Sequence, residues 1–318
     1  MRLLFCGTPQ FAVPTLKHLV AQPDFQIAAV ITQPDRPRGR GHETSFSPTK
    51  QTALAANLPV FQPEKIRTPD SEQFLRAANP DAIVIIAYGQ IIPGRLLNIP
   101  KLGWINAHAS LLPKYRGAAP IQWAIASGET KTGVTTMRID AGMDTGDMLL
   151  QEEIPIAPDE RTPELAERLA NLSASLMSQT LLGLRDGTLQ PRAQNNAEAT
   201  LAPLLKKEDG RIDWSRPAQI IYNRMRGFTR WPGAYAHFRG TICQLSGAPE
   251  PNAAFATSNS VERKLSTGQI VLADDKLIVG CGGETLLGVS RVKAEGRKEV
   301  SALEFANGAR LQPQERFD

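Results

Sequence analysis

Residues 103–120 read GWINAHASLLPKYRGAAP, an apolar run that breaks into a basic, Pro- and Gly-containing turn before a second apolar stretch begins. Side chains alternate across a strand, so Asn106 and His108 share one face while Ile105 and Ala107 take the other. The pattern predicts a buried strand that ends on an amide and an imidazole side by side. The helical stretch AAPIQWAIASG follows, which makes this segment part of a βα unit. In open α/β sheets ligands settle beyond the carboxyl ends of the strands, and the Asn106–His108 pair falls there.

The same alternation extends toward the N-terminus. RLLFC, FQIAAVIT and DAIVIIA read as strands, with helices over FAVPTLKHLVAQ and roughly 47–57. AIVIIA, at 82–87, has no polar residue, as expected of a parallel strand covered on both faces. Strands interleaved with helices predict a Rossmann-like parallel-sheet α/β domain over 1–188. One segment interrupts the order: QPDRPRGRGHETSFSP, residues 33–48, is a long loop without periodicity, a length usually reserved for function. A long helix runs from Thr162 to about Leu182, with Thr162 as N-cap and Pro163 in the first turn. Residues 189–208 are polar and turn-rich and read as a linker. From 209 the pattern changes to a helix, PAQIIYNRMRGF, and then closely spaced short strands separated by FRGT, DDK and CGGE. These predict a smaller OB-like β-barrel domain over 209–318.

Composition narrows the function. The 318 residues, 42% hydrophobic and 21% charged, suffice for two cored domains. No apolar run is long enough to span a membrane, and MRLLFCGTP is apolar too briefly for a signal peptide. Cys6, Cys243 and Cys281 are far apart and odd in number, which predicts no disulfide framework and a reducing, cytoplasmic setting. The 36 basic and 32 acidic residues give a net charge of +4, with a pI near 9.0. That balance hints at a polyanionic partner. Arg36, Arg38 and Arg40 crowd the 33–48 loop, Lys206 and Lys207 lie in the linker, and Arg224, Arg226 and Arg230 follow in the second domain.

Several chemistries are excluded by their missing motifs. The first βα turn, FCGTPQF, lacks the dinucleotide-binding glycines, and no phosphate loop, nucleophile elbow or zinc-protease helix is present. The four histidines, at 18, 42, 108 and 237, are too scattered for a metal cluster, so no metal is expected. TGVTTMRIDAGMDTGDML, residues 132–149, gives a β-branched strand and a loop bearing Asp140, Asp144 and Asp147. If this strand neighbours the one carrying His108, one of these carboxylates reaches the imidazole. An Asn, a His and an Asp without a nucleophile suit acyl transfer to an external one. The amide stabilises an oxyanion, the imidazole moves protons, and the carboxylate orients the imidazole and favours its charged form.

INAHASLLPKYRGAAPIQWAI followed by TGVTTMRIDAGMDTGDML resembles the core of the 10-formyltetrahydrofolate-dependent formyltransferases. The resemblance extends through FCGTPQFAVPTL, ITQPDRPRGRG, SPTK, LPVFQPEKIR and IAYGQIIP to RIDWSRPAQIIYNRMRGFTRWPGAY, and weakens from about residue 250. It implies that Asn106, His108 and Asp144 are catalytic. It also implies that Ser110, Leu111, Leu112 and Pro113 contact the folate. The backbone of Tyr88, Gln90 and Ile92, with the loop from Asp140 to Asp144, would hold the pterin. The 33–48 loop would approach the acceptor stem of initiator tRNA, with Arg40 matching the family's basic residue there and Arg36 and Arg38 beside it. Independently of the resemblance, the compact ammonium charges of Lys206 and Lys207 in the polar linker suit phosphates. After Gly41, HETSFSP replaces a more basic run. The implied activity is transfer of a formyl group from 10-formyltetrahydrofolate, as co-substrate, to the methionine amine of initiator Met-tRNA, by a cytoplasmic monomer with no membrane or metal partner. Two alternatives are formylation of a sugar-nucleotide amine, and a non-catalytic RNA-binding protein with a relict core.

Overall fold

The computed structural model describes residues 1–38, 43–251 and 265–318. The chain divides into two compact units. The first comprises Met1–Ile121, Lys131–Ile156 and Glu164–Pro203, and the second Gln122–Thr130, Ala157–Pro163 and Leu204–Asp318.

The first unit is built in the order β1 (Arg2–Gly7), α1 (Val13–Val20), β2 (Gln26–Ile31), β3 (Arg36–Arg38), β4 (Glu43–Ser45), α2 (Pro48–Ala55), β5 (Val60–Phe61), α3 (Pro69–Ala78), β6 (Ala82–Ile86), α4 (Gly94–Leu97) and β7 (Trp104–His108). Then come α5 (Pro120–Ala126), which crosses the unit boundary, β8 (Lys131–Arg138), β9 (Met148–Pro155) and α6 (Thr162–Arg185). Seven strands form one sheet in the order β5-β2-β1-β6-β7-β8-β9. The first five are parallel, and the order reverses between β1 and β6, the switch point of a doubly wound sheet. All five residues of β6 are buried, as a strand covered on both faces requires. Trp104, at the start of β7, is buried in the core with Leu4, Cys6, Ile83, Ile85 and Leu96, and donates its indole N–H to the Leu96 carbonyl at 2.9 Å.

The first unit departs from the sequence reading in several places. β8 and β9 are antiparallel additions to the parallel sheet. The connection between them, 139–147, is too short for a crossover, so β9 can only return antiparallel. The arginine loop contains its own two-stranded ribbon, Arg36 opposite Ser45 and Arg38 opposite Glu43. Helix α3 was not foreseen, although Thr68 caps it by accepting the Ser71 N–H at 3.3 Å and Asp70 and Glu72 sit in its first turn. Residues 189–203, assigned to the linker, belong to the first unit, for reasons that appear at the site.

The second unit contains α7 (Ala218–Gly227), β10 (Tyr235–Phe238), β11 (Thr241–Glu250), β12 (Ile270–Ala273), β13 (Lys276–Gly280), β14 (Leu286–Ala294), β15 (Val300–Ser301) and α8 (Ala302–Ala309). Its six-stranded antiparallel sheet runs β10-β11-β14-β13-β12, with β15 on β14, and forms an OB-like half-barrel. The core gathers Trp214, Ile221, Phe238, Leu277, Val289 and Phe317, with the Trp214 and Phe317 rings stacked at 5.9 Å. Helix α8, also unforeseen, begins on a capping box in which Ser301 and Glu304 exchange side-chain and backbone bonds.

Candidate active site

β7 lies between β6 and β8, with Asn106 opposite Ile85 on one side and Met137 on the other. His108 is buried. Its Nε2 lies 2.9 Å from the Tyr115 carbonyl, which can only accept, so Nε2 carries a hydrogen. Its Nδ1 lies 3.6 Å from Asp144 Oδ2, long for a hydrogen bond but within reach of an ion pair when the ring is protonated. Among the three candidate carboxylates, Asp144 is therefore the one that meets the imidazole.

Register explains how it gets there. β8 runs antiparallel to β7 and ends with Arg138 opposite Ile105, so the 139–147 loop must fold back along the sheet toward His108. Asp140 builds that reversal, because its carboxylate accepts the Gly142 N–H at 3.0 Å and the Thr145 hydroxyl at 2.8 Å. Asp147 is exposed, and its carbonyl accepts the Arg138 N–H. A Cβ at Gly146 would stand 1.9 Å from the Arg138 carbonyl oxygen, so only glycine lets the loop close. Asp144 itself has φ 54°, a left-handed conformation uncommon for a residue with a side chain. Its Oδ2 also accepts the Gly117 N–H at 2.9 Å.

Sequence reasoning missed the segment that holds these loops together. The main chains of Met148 and Arg192 exchange two hydrogen bonds, at 2.9 and 2.8 Å. Farther along, Arg116 N–H donates to the Thr200 carbonyl at 2.9 Å, and Ala202 N–H donates to the Arg116 carbonyl at 2.7 Å. Between these anchors, Gln194 Nε2 donates to the carbonyls of Asp144 and Gly146, both at 2.8 Å. Its Oε1 accepts from Nε and Nη2 of the buried Arg116, at 3.0 and 2.7 Å. Residues 192–202 are thus a strap sewn to the loops that carry Asp144 and Arg116. A polar, turn-rich composition looks like a linker, but here its backbone groups are paired with the first unit.

The residues implied to hold folate are placed as follows. Ser110 is fully buried and donates to the Lys114 carbonyl at 2.6 Å. Leu112 packs on Met137 and Met148, its N–H bonded to Thr135 Oγ1 and its carbonyl to Gln151 Nε2. Leu111 and Pro113 are half-buried. The Tyr88 carbonyl is taken by Thr8 and Gln33, at 3.2 and 3.0 Å. Its phenol is buried and makes no hydrogen bond among the described residues, and burial, with Cys6 second, pushes the phenol's pKa up. Gln90 ties down the main chain of Ile66, and Ile92 is in the core. Gly89 and Ile91 after β6 and Ala141–Met143 in the Asp144 loop are exposed residues, Ile91 at 92% and Met143 at 61%.

The basic candidates divide. Arg36 is exposed and pairs with exposed Glu64 at 3.4 Å. Arg40 lies outside the described residues, as does the side chain of Arg38. Lys206 and Lys207 are exposed at a short turn in which the Lys206 N–H donates to Asp209 at 2.7 Å. Arg226 is a structural group. It is buried, donates to Asn223 Oδ1 and to the carbonyls of Ala157 and Glu160, and has its pKa lowered by burial. Among the described residues no three His, Cys, Asp or Glu side chains could jointly hold a metal ion, and no helix is long and apolar enough to cross a membrane.

Residues 1–181 match the formyl transferase family, and residues 204–310 match the formyl transferase C-terminal domain. The methionyl-tRNA formyltransferase of Koribacter versatilis is 53% identical over 98% of this chain and 96% of its own, and that of Solibacter usitatus 52% over 100% and 98%. Among solved structures, the sugar 3N-formyl transferase WlaRD is similar in fold, with TM-score 0.63 at 17% identity over 94% of this chain and 99% of its own. HypX from Aquifex aeolicus in complex with tetrahydrofolic acid has TM-score 0.60 at 17% identity over 99% of this chain and 48% of its own. The chain belongs to the formyl transferase family, among the methionyl-tRNA formyltransferases.

Proposed function

We propose that the protein transfers the formyl group of 10-formyltetrahydrofolate to the α-amino group of methionine on initiator Met-tRNA, for translation initiation in the cytoplasm. The observation that carries this reading is the meeting of His108 and Asp144 beside Asn106 in a chain half identical, end to end, to methionyl-tRNA formyltransferases. The exposed residues Gly89, Ile91 and Ala141–Met143 include the apolar side chains of Ile91 and Met143, a surface that suits a pterin ring. The donor supplies an activated formyl carbon, and the protein supplies geometry and charge.

The neutral amine of the aminoacyl ester attacks the formyl carbon, and the carbonyl π electrons move onto oxygen. The Asn106 amide donates to that oxyanion, an interaction of roughly 3–4 kcal/mol in the transition state. Collapse breaks the bond to N10. The amine loses its extra proton and N10 gains one. In this reading His108 mediates that exchange, swinging one ring nitrogen from its protein partner, while Asp144 stabilises the charged ring. Holding amine and formyl carbon together provides much of the remaining acceleration.

Sugar-amine formylation loses ground because the sugar enzymes lie at 17% identity, where the likeness speaks for fold alone. A relict core would have no need of an intact Asn106, His108 and Asp144. The test is to incubate the protein with 10-formyltetrahydrofolate and Met-charged initiator tRNA, Met-charged elongator tRNA or a nucleotide-linked amino sugar. Preferential formylation of initiator Met-tRNA is expected. Formylation of neither tRNA would overturn the proposal.

A further inference from the structure

We propose that Gln194 is a positioning residue for formyl transfer. It fixes the main chain of Asp144 and, through it, the setting of the His108 imidazole. The inference rests on the assignment of His108 and Asp144 made above.

The amide orientation follows from its neighbours. The Asp144 and Gly146 carbonyls can only accept, so the group facing them, 2.8 Å from each, is Nε2. The Arg116 guanidinium can only donate, so the oxygen faces it. All hydrogen-bonding capacity on that side of the amide is used, and neither Asp nor Glu could serve. The two carbonyls held by Nε2 bracket Thr145 in the turn where Asp144 adopts φ 54°. Gln194 thus pins a backbone conformation that the aspartate does not favour unaided.

The other half of the amide reaches the opposite wall of the site. Arg116, which Gln194 orients, lies between two residues that touch the catalytic pair: the Tyr115 carbonyl faces His108 Nε2, and the Gly117 N–H is bonded to Asp144 Oδ2. Gly117 has φ +122°, and a Cβ there would stand 2.7 Å from the Ala202 carbonyl oxygen of the strap. One amide therefore links the segment that carries Asp144 to the segment that receives both members of the pair. Asn196 supplies an internal control. It accepts from the same Arg116 Nη2 at 2.8 Å.

The experiment compares full-length Gln194→Glu, Gln194→Ala and Asn196→Ala with the parent protein. It measures kcat, KM for formyl donor and tRNA, the pH dependence of kcat, and melting temperature. Gln194→Glu keeps the oxygen that meets Arg116 but turns an acceptor toward two carbonyls. Its kcat should fall roughly tenfold or more, with both KM values within about twofold and the pH profile displaced. Gln194→Ala should fall less, and it carries the test if the Glu variant does not fold. Asn196→Ala should keep kcat within about twofold even if it melts earlier. The proposal is overturned if both Gln194 variants retain kcat, if the loss lies in KM alone, or if Asn196→Ala loses as much. Full activity in Asp144→Asn would instead sink the site assignment itself, whatever Gln194 does.

Discussion

The loop around Asp144 and the loop around Arg36 are both rich in Gly, Pro or charge, yet they are secured differently. At Asp144 the carboxylate takes the Gly117 N–H, the carbonyl takes Gln194, and a neighbouring aspartate closes the turn. At Arg36 the guanidinium meets one exposed glutamate at 3.4 Å, a pairing worth little in water. The arginine loop is anchored at its base instead. Lys50 pairs with Asp35 and lies 3.9 Å over the Phe46 ring, and Gln62 Nε2 holds Asp35 and the Gln33 carbonyl. Burial tends to raise the Asp35 pKa, but its bonds to Lys50 and Gln62 and the Lys50 charge outweigh this and hold it below the usual carboxylate value. A group proposed to act in catalysis, as Asp144 is, must hold position to within about half an ångström. A charge that meets a polyanion gains by remaining solvated and adjustable until contact.

The contrast can be broken at its strongest point first. Asn106→Ala and His108→Ala should each lower kcat on the order of 10²-fold or more while leaving the fold intact. Single-turnover rates beside circular dichroism check this, and near-normal rates in both variants would detach the β7 pair from the chemistry. Asp144→Asn should follow, since the amide oxygen can still receive the Gly117 N–H but no longer offers a negative charge to His108. A loss of about 10²-fold with a displaced pH–rate profile is expected. A lower rate with an unmoved profile would place Asp144 in another role.

The arginine loop should respond in specificity rather than chemistry. Arg40→Ala should cost roughly 1–3 kcal/mol in kcat/KM for initiator tRNA and narrow the gap to elongator tRNA. Equal weakening of both substrates would reduce the loop to a phosphate contact. The smallest effect is expected from the exposed Lys206 and Lys207. Each one that touches a phosphate should contribute about one unit to the salt slope, alike for both tRNAs. Binding of both tRNAs at two salt concentrations measures it, and a slope unchanged on replacing both lysines would remove them from the interface.

The alternation in GWINAHA, the unbroken AIVIIA and the change to short strands after 209 predicted a Rossmann-like sheet and an OB-like barrel, and the structure has both, the second as a half-barrel. They also put Asn106 and His108 on one face of one strand. Such features are local, since periodicity and turn chemistry act over a few residues. The sequence could not choose among Asp140, Asp144 and Asp147. That choice needed the antiparallel register of β8 on β7, which folds the 139–147 loop back and presents one carboxylate to the imidazole. Nor could it distinguish a strap from a linker. PRAQNNAEAT has no apolar periodicity because this strap is held by hydrogen bonds to residues about 50 to 85 positions away in the chain. Local composition records which groups can bond. Only the tertiary structure decides which partner arrives.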